Sequence, residues 1–340
     1  MSKVVPFFSI PFTYIKVYFF HNVYSELVHA LSYRLLRKGH GDYIMKISTE
    51  KTVFSFCGNN EPIMAVDAPV TLDFETLDCF SNQLRNPEDT FEALDWDATN
   101  PATGPVYING AEPGDTLKVT INKIDLNEKG TVAAIENEGT IGDMFEGSYV
   151  KIVPVSDGIA HFSDELKIPV KPMIGVIGVA PAGDEPINCG TPGKHGGNMD
   201  NTMIGEGATL YFPVAVPGAL LAMGDVHAVM GDGEIGVTGL EIPAEINVTV
   251  ELIKGKSYEY PMLENEDVFS VIVSKLTTDE AITRATQLME EFLEERNELS
   301  RPDTVMLMSL AGDVEICQVV DPLKTVRFVF PKKFMTRAEF

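Results

Sequence analysis

Period-two alternation of apolar and polar side chains dominates the chain from Met45 onward. In Thr116–Ile124, Leu117, Val119 and Ile121 alternate with polar neighbours. In Ile246–Ile253, Ile246, Val248, Val250 and Leu252 alternate with Asn247, Thr249 and Glu251. Successive side chains of a strand point to opposite faces, so both segments predict strands with one face in a core and one in water. The stretch PMIGVIGVAP, residues 172–181, predicts a short buried strand punctuated by glycine. A different period appears late. Ala281, Ile282, Ala285, Leu288, Met289, Phe292 and Leu293 share one face of a helix, and Thr277 and Glu280 have capping-box spacing at its start. Ser300-Arg301-Pro302-Asp303 ends that helix, and mixed structure follows. No repeat or low-complexity linker divides residues 45–340, which read as one domain, mainly β with a few helices.

Composition narrows the partners. Among 340 residues, 28 Gly and 21 Pro fit many turns and short strands. A net charge of −24 argues against nucleic acid and anionic membrane surfaces. Cys57, Cys79, Cys189 and Cys317 are scattered without a C-x-x-C pair, which fits small buried residues in a reducing, cytoplasmic compartment. The first 44 residues differ from the rest. Lys3, Lys16, Arg34, Arg37 and Lys38 against Glu26 and Asp42 make them +3, leaving −27 for the remainder. Pro6, Pro11 and Lys16 interrupt their apolar run, and no small-residue cleavage site follows. The expectation is an N-terminal extension outside the fold, with translation starting at Met45; the alternative is a leader that associates with a membrane.

Candidate chemistry lies in GDVHAVMGDGEIGVTGLE, residues 224–241. No Lys or Arg occurs between Lys194 and Lys254, nor between Lys51 and Arg85, although both windows are rich in carboxylates and in buried-type residues. A buried carboxylate needs a distant cationic side chain, a raised pKa or a metal ion. Asp225 and His227 are two apart, as are Asp232 and Glu234, so each pair shares a strand face. The intervening MGDGE predicts a hairpin that folds the second pair onto the first. Histidine with carboxylates suits zinc, and carboxylates alone suit calcium or magnesium; a solvated acidic hairpin is the bland alternative. In NCGTPGKHGGNMDN, residues 188–201, Gly196, Gly197 and Asn198 could donate hydrogen bonds to a developing oxyanion. His195 reads as a substrate contact or a loop-tip residue. Cys189 as a nucleophile has no neighbouring base, and no G-x-S-x-G elbow is present.

These blocks resemble the acetamidase/formamidase family, metal-associated hydrolases of short aliphatic amides. The resemblance rests on VTLDFETLDCF, GPVYINGAEPGDTLKVTI, PMIGVIGVAP, GGNMD, LYFPVAVPGALLAMGDVHAVMGDGEIGVTGLE and LMSLAGDVEICQVVDP, in that order. It implies a β-sandwich or barrel with a C-terminal helix and a self-associating enzyme, a homodimer. Carried over residue by residue, it points to Asp73, Asn198, Asp200, Asp225, His227 and Glu234. On that basis Asp73, Asp200 and His227 are expected to bind a divalent cation, zinc first. Asp225 joins as a ligand or as the group beside one, and surplus carboxylates could hold calcium or magnesium. Glu234 is the expected general base, Asn198 the oxyanion partner, and Gly196, Gly197 and His195 the substrate contacts. The rival is a non-catalytic metal-binding β-protein for a small polar ligand.

Overall fold

The computed structural model describes residues 33–38, 42–338 and 340. The two strands predicted from alternation are Thr116–Leu126 and Ala244–Ile253, and they pair with each other antiparallel, Val248 opposite Ile121. They lie inside a ten-stranded sheet. A six-stranded sheet faces it, with Leu221–His227 flanked by Met173–Gly178 and Ala102–Ile108. Leu72, Phe74, Leu117, Val119, Ile121, Ile246, Val248 and Val250 of the first sheet form one buried cluster with Val106, Ile174, Ile177, Leu221, Met223 and Val226 of the second. The two sheets are therefore a sandwich whose filling is the inward half of each alternating strand. Met173–Gly178 is buried throughout, because its other face is covered as well.

The far end of the large sheet carries the helices. Phe269, Val271, Val273, Val326, Phe328 and Phe330 pack against Ala281, Ala285, Met289, Phe292 and Leu293 of α1 (Thr278–Asn297). The capping box at Thr277 and Glu280 is formed as spaced. Ser300-Arg301-Pro302-Asp303 does more than end α1. It opens a second helix, α2 (Arg301–Ala311), whose first turn Ser300 caps. Pro302 is tolerated there because an amide in the first turn has no intrahelical acceptor to lose. No helix among the described residues is long and apolar enough to cross a membrane.

The boundary drawn at Met45 falls inside a strand. Tyr33–Lys38 pairs antiparallel with Asp42–Ile47, which runs parallel to Val70–Glu75 in the large sheet. The end of the supposed extension is thus sheet, because an edge strand offers unpaired backbone groups that a preceding segment can satisfy. The rest of the extension, residues 1–32 and 39–41, lies outside the described residues.

The Thr277 side chain accepts the Glu280 N–H at 3.3 Å. Thr277→Ala should lower the unfolding free energy by about 1 kcal/mol in urea melts, while Thr277→Ser should stay near wild type. Equal losses in both would mean that the cap contributes nothing.

Candidate active site

Leu221–His227 runs through the middle of the smaller sheet and ends in a buried carboxylate cluster. Asp225 and His227, spaced to share a face, have Oδ1 and Nε2 3.4 Å apart. The hairpin that follows is longer than MGDGE. The Ala228 N–H donates to the Leu240 carbonyl, the Leu240 N–H donates to the Val229 carbonyl, and His227 bridges to Glu241. The return strand therefore sets Glu241, not Asp232, against the histidine, with Oε2 3.1 Å from Nε2. Asp200, which follows the short strand Gly196–Asn198, brings Oδ1 to 3.9 Å of the same nitrogen. Glu234 enters from the tip of the loop. One ligand atom each from Asp200, His227 and Glu234 lies within 4.8 Å of the others, and the same holds for Cys79, Asp225 and Glu241. All six residues are buried.

Close approach and strain accompany this convergence. Asp200, Asp225 and Glu234 all have left-handed backbones, with φ of 42°, 55° and 49°. Such conformations are costly for residues with a Cβ and gather at functional sites. A Cβ at Gly175 would lie 2.5 Å from Asp225 Oδ2 and 2.6 Å from Asp200 Oδ1. Only glycine leaves the two carboxylates room to face each other there.

The electrostatics are those of an under-compensated site. Among the described residues no Lys or Arg pairs with Asp200, Asp225, Glu234 or Glu241, and His227 is the single basic partner. Burial, and then neighbouring carboxylates, pushes the Asp200 and Glu234 carboxyls well above the usual range. Glu241 is pushed up to about 8 by the same two causes. Burial alone would raise Asp225, but the adjacent His227 charge outweighs it and holds Asp225 low. Burial opposes the His227 charge, yet Glu241 and Asp225 raise its pKa well above 6.5. Both Asp200 oxygens, Asp225 Oδ1, Glu241 Oε2 and His227 Nδ1 have no hydrogen-bond partner. Orphaned oxygens around an imidazole are a donor set that fits a divalent cation, with zinc suited to the nitrogen.

Other expected site residues are placed elsewhere. Asp73 lies between Leu72 and Phe74, which face the sandwich core, so its carboxylate points to the outer face and accepts from the Asn247 amide. It is not brought to the cluster. Asp232 pairs with Arg327, at 2.5 and 3.1 Å, and with Thr202 at 2.8 Å, so here the distant arginine is the answer. Gly196 and Gly197 form a strand against Gly178 and Ile177, and the Gly196 N–H donates to the Gly193 carbonyl. That loop is pinned by sheet pairing, and the Gly196 N–H is already committed. The Asn198 amide donates to Asp321 Oδ2 at 3.1 Å, beside the cluster. His195 is no loop-tip residue: it is buried, edge-on to Phe56, and lines a cleft of about 740 Å³ with Pro213, Tyr260 and Ser274. Glu234 instead lines a separate apolar cleft of about 530 Å³, with Val132, Val153, Phe162, Ile168 and Leu240.

The acetamidase/formamidase family description matches residues 56–189 and 185–271. The chain belongs to the acetamidase/formamidase family. A predicted acetamidase/formamidase of Thermoanaerobacter tengcongensis is 47% identical with a TM-score of 0.83, covering 85% of this chain and 95% of that one. An acetamidase of Bacillus halodurans is 42% identical with the same TM-score, covering 85% and 98%. A putative formamidase of Schizosaccharomyces pombe is 26% identical over 250 residues, 56% of this chain and 61% of that protein. The match thus spans under two thirds of that relative's length. For this family member, Glu241, Cys79 and Asp321 are the cluster residues to which spacing assigned no role. All three stand inside the quoted blocks, but nothing local marks them as meeting.

His195 offers a pH test. Burial lowers its pKa to about 4, below the 6.5 of an exposed histidine. The unfolded chain therefore takes up a proton first as pH falls, and stability is lost between about pH 6.5 and 4. The loss from this group between pH 7 and 5 is about 2 kcal/mol. Urea melts should show His195→Gln losing less stability over that interval than wild type; equal losses would place the acid sensitivity in other groups.

Proposed function

We propose that this chain hydrolyses short aliphatic amides such as formamide and acetamide, R–CO–NH₂ + H₂O → R–COO⁻ + NH₄⁺, with the help of a divalent cation. One observation carries the reading. Glu234 belongs both to the Asp200–His227–Glu234 group and to the wall of an apolar cleft, so a carboxylate, candidate metal ligands and space for an acyl group meet at one point. Family membership and the amidase names of relatives support the same reaction class.

Asp200 and His227, with Asp225 beside them, would hold the cation, zinc in preference to calcium or magnesium. When bound there, such an ion supplies Lewis acidity, polarising an amide carbonyl and acidifying water. Val132, Val153 and Leu240 receive the acyl group and exclude water from around it. Glu234, at the cleft wall, takes a proton from the attacking water and passes it to the departing nitrogen, which leaves as ammonia. Asn198, whose amide donates to Asp321, would steady the developing oxyanion. We further propose a cytoplasmic homodimer; all four cysteines are unpaired, which suits a reducing compartment.

Glu234→Gln should lower kcat for ammonia release roughly 10²-fold or more while leaving bound metal unchanged. His227→Ala should lose both metal and activity, and exhaustive chelation should abolish ammonia release. Elemental analysis beside an ammonia assay on a panel of small amides checks all three. Equal metal loss in both variants would make Glu234 a ligand. Bound metal without ammonia from any amide would favour a non-catalytic binding protein.

A further inference from the structure

Cys79 takes no part in the hydrolysis proposed above, yet it lies against the same carboxylates. It sits in a tight turn after the strand Val70–Glu75. Asp78, one residue earlier, accepts the N–H groups of Phe80 at 3.1 Å and Asn82 at 2.7 Å and pairs with Arg85 at 3.4 Å. The Cys79 carbonyl accepts the Asn100 N–H at 2.7 Å. Ser81 and Asn82 complete the turn in left-handed conformations. The backbone on both sides of the thiol is thus fixed by contacts that do not involve the sulfur.

The sulfur meets Asp225 and Glu241, with one ligand atom from each of the three within 4.8 Å of the others. None of these residues belongs to the Asp200–His227–Glu234 group, which has the same tightness. The two groups adjoin, since His227 Nε2 lies 3.4 Å from Asp225 Oδ1 and 3.1 Å from Glu241 Oε2. A second observation points to a ligand. Asp225 Oδ1 and Glu241 Oε2, on residues only 2% and 1% exposed, accept no hydrogen bond. One histidine cannot neutralise four buried carboxylates, and no Lys or Arg among the described residues pairs with them.

We propose that Cys79, Asp225 and Glu241 form a second divalent-cation subsite beside the one around Asp200 and His227, so that the centre holds a pair of cations, one of them through a thiolate. This rests on the reading that the cluster binds metal at all. A sulfur donor selects zinc, and disfavours the calcium or magnesium that surplus carboxylates alone would suit. Binding replaces the thiol proton, Cys–SH + M²⁺ → Cys–S–M⁺ + H⁺, and the proton leaves to solvent.

The test uses the full chain loaded with Zn²⁺ or Co²⁺. Wild type should carry about two cations per chain, and its Co²⁺ form should show a thiolate-to-cobalt charge-transfer absorption. Cys79→Ser should fall to about one cation and lose that absorption. Cys189→Ser, whose thiol donates to the Val53 carbonyl instead, should keep both. One cation in wild type without the absorption would overturn the second subsite alone. An absorption that survives Cys79→Ser would do the same. No bound cation at all would overturn the metal reading of the whole cluster. If Cys79→Ser fails to fold, the wild-type stoichiometry and spectrum still decide.

Discussion

The constraint on which the rest depends is negative charge out of water. Asp200, Asp225, Glu234 and Glu241 surround a single imidazole, all buried. An ionised carboxylate removed from water is tolerated only with a partner, and these four share one. Their protonation therefore divides: Asp225 stays ionised against His227, while Asp200, Glu234 and Glu241 are driven upward. Such an arrangement stabilises nothing by itself. It is a set of donors waiting for positive charge, which is how a binding or catalytic centre differs from a structural ion pair.

The sandwich makes that arrangement tolerable. Leu221–Gly224 is flanked on both sides by buried strands and Met173–Gly178 continues alongside to His227, and within this frame Asp225 keeps a left-handed backbone. Gly175 across the pair gives the carboxylates space to converge. The loop from Ala228 to Leu240 is closed at its base by backbone hydrogen bonds, and its tip is anchored by the Gly233 N–H to the Cys317 carbonyl and by Asp232 to Arg327. Arg327 thus satisfies the acid beside Glu234 and leaves Glu234 to the cluster and the cleft.

Several features were legible along the chain because they are local. Alternation over 116–124 and 246–253 predicted strands, and the facing sheet merely selected which parity points inward. The capping box at Thr277 and Glu280 depends on residues three apart, and it forms as spaced. Ser300 and Pro302 carried an equally local signal that reads both as a stop and as a start; packing of Met308 under the sheet end chose the start. Asp225 and His227 were paired by period two alone, and the quoted blocks were enough to identify the family.

Tertiary structure decided what period and spacing could not. Asp73 and Cys79 are close in sequence, yet the strand parity that buries Leu72 and Phe74 turns Asp73 outward, while the turn after the strand carries Cys79 to the cluster. Hairpin register chose Glu241 over Asp232 as the neighbour of His227, because the hairpin closes where the Ala228 N–H donates to the Leu240 carbonyl and the Leu240 N–H to the Val229 carbonyl. Arg327 reached Asp232 across almost a hundred residues. By itself the sequence determined the strands within 116–124 and 246–253, the helix capped at Thr277, and which acids lie among apolar neighbours. Which of those acids share a site follows from sheet register and long-range closure, interactions between segments that no local pattern encodes.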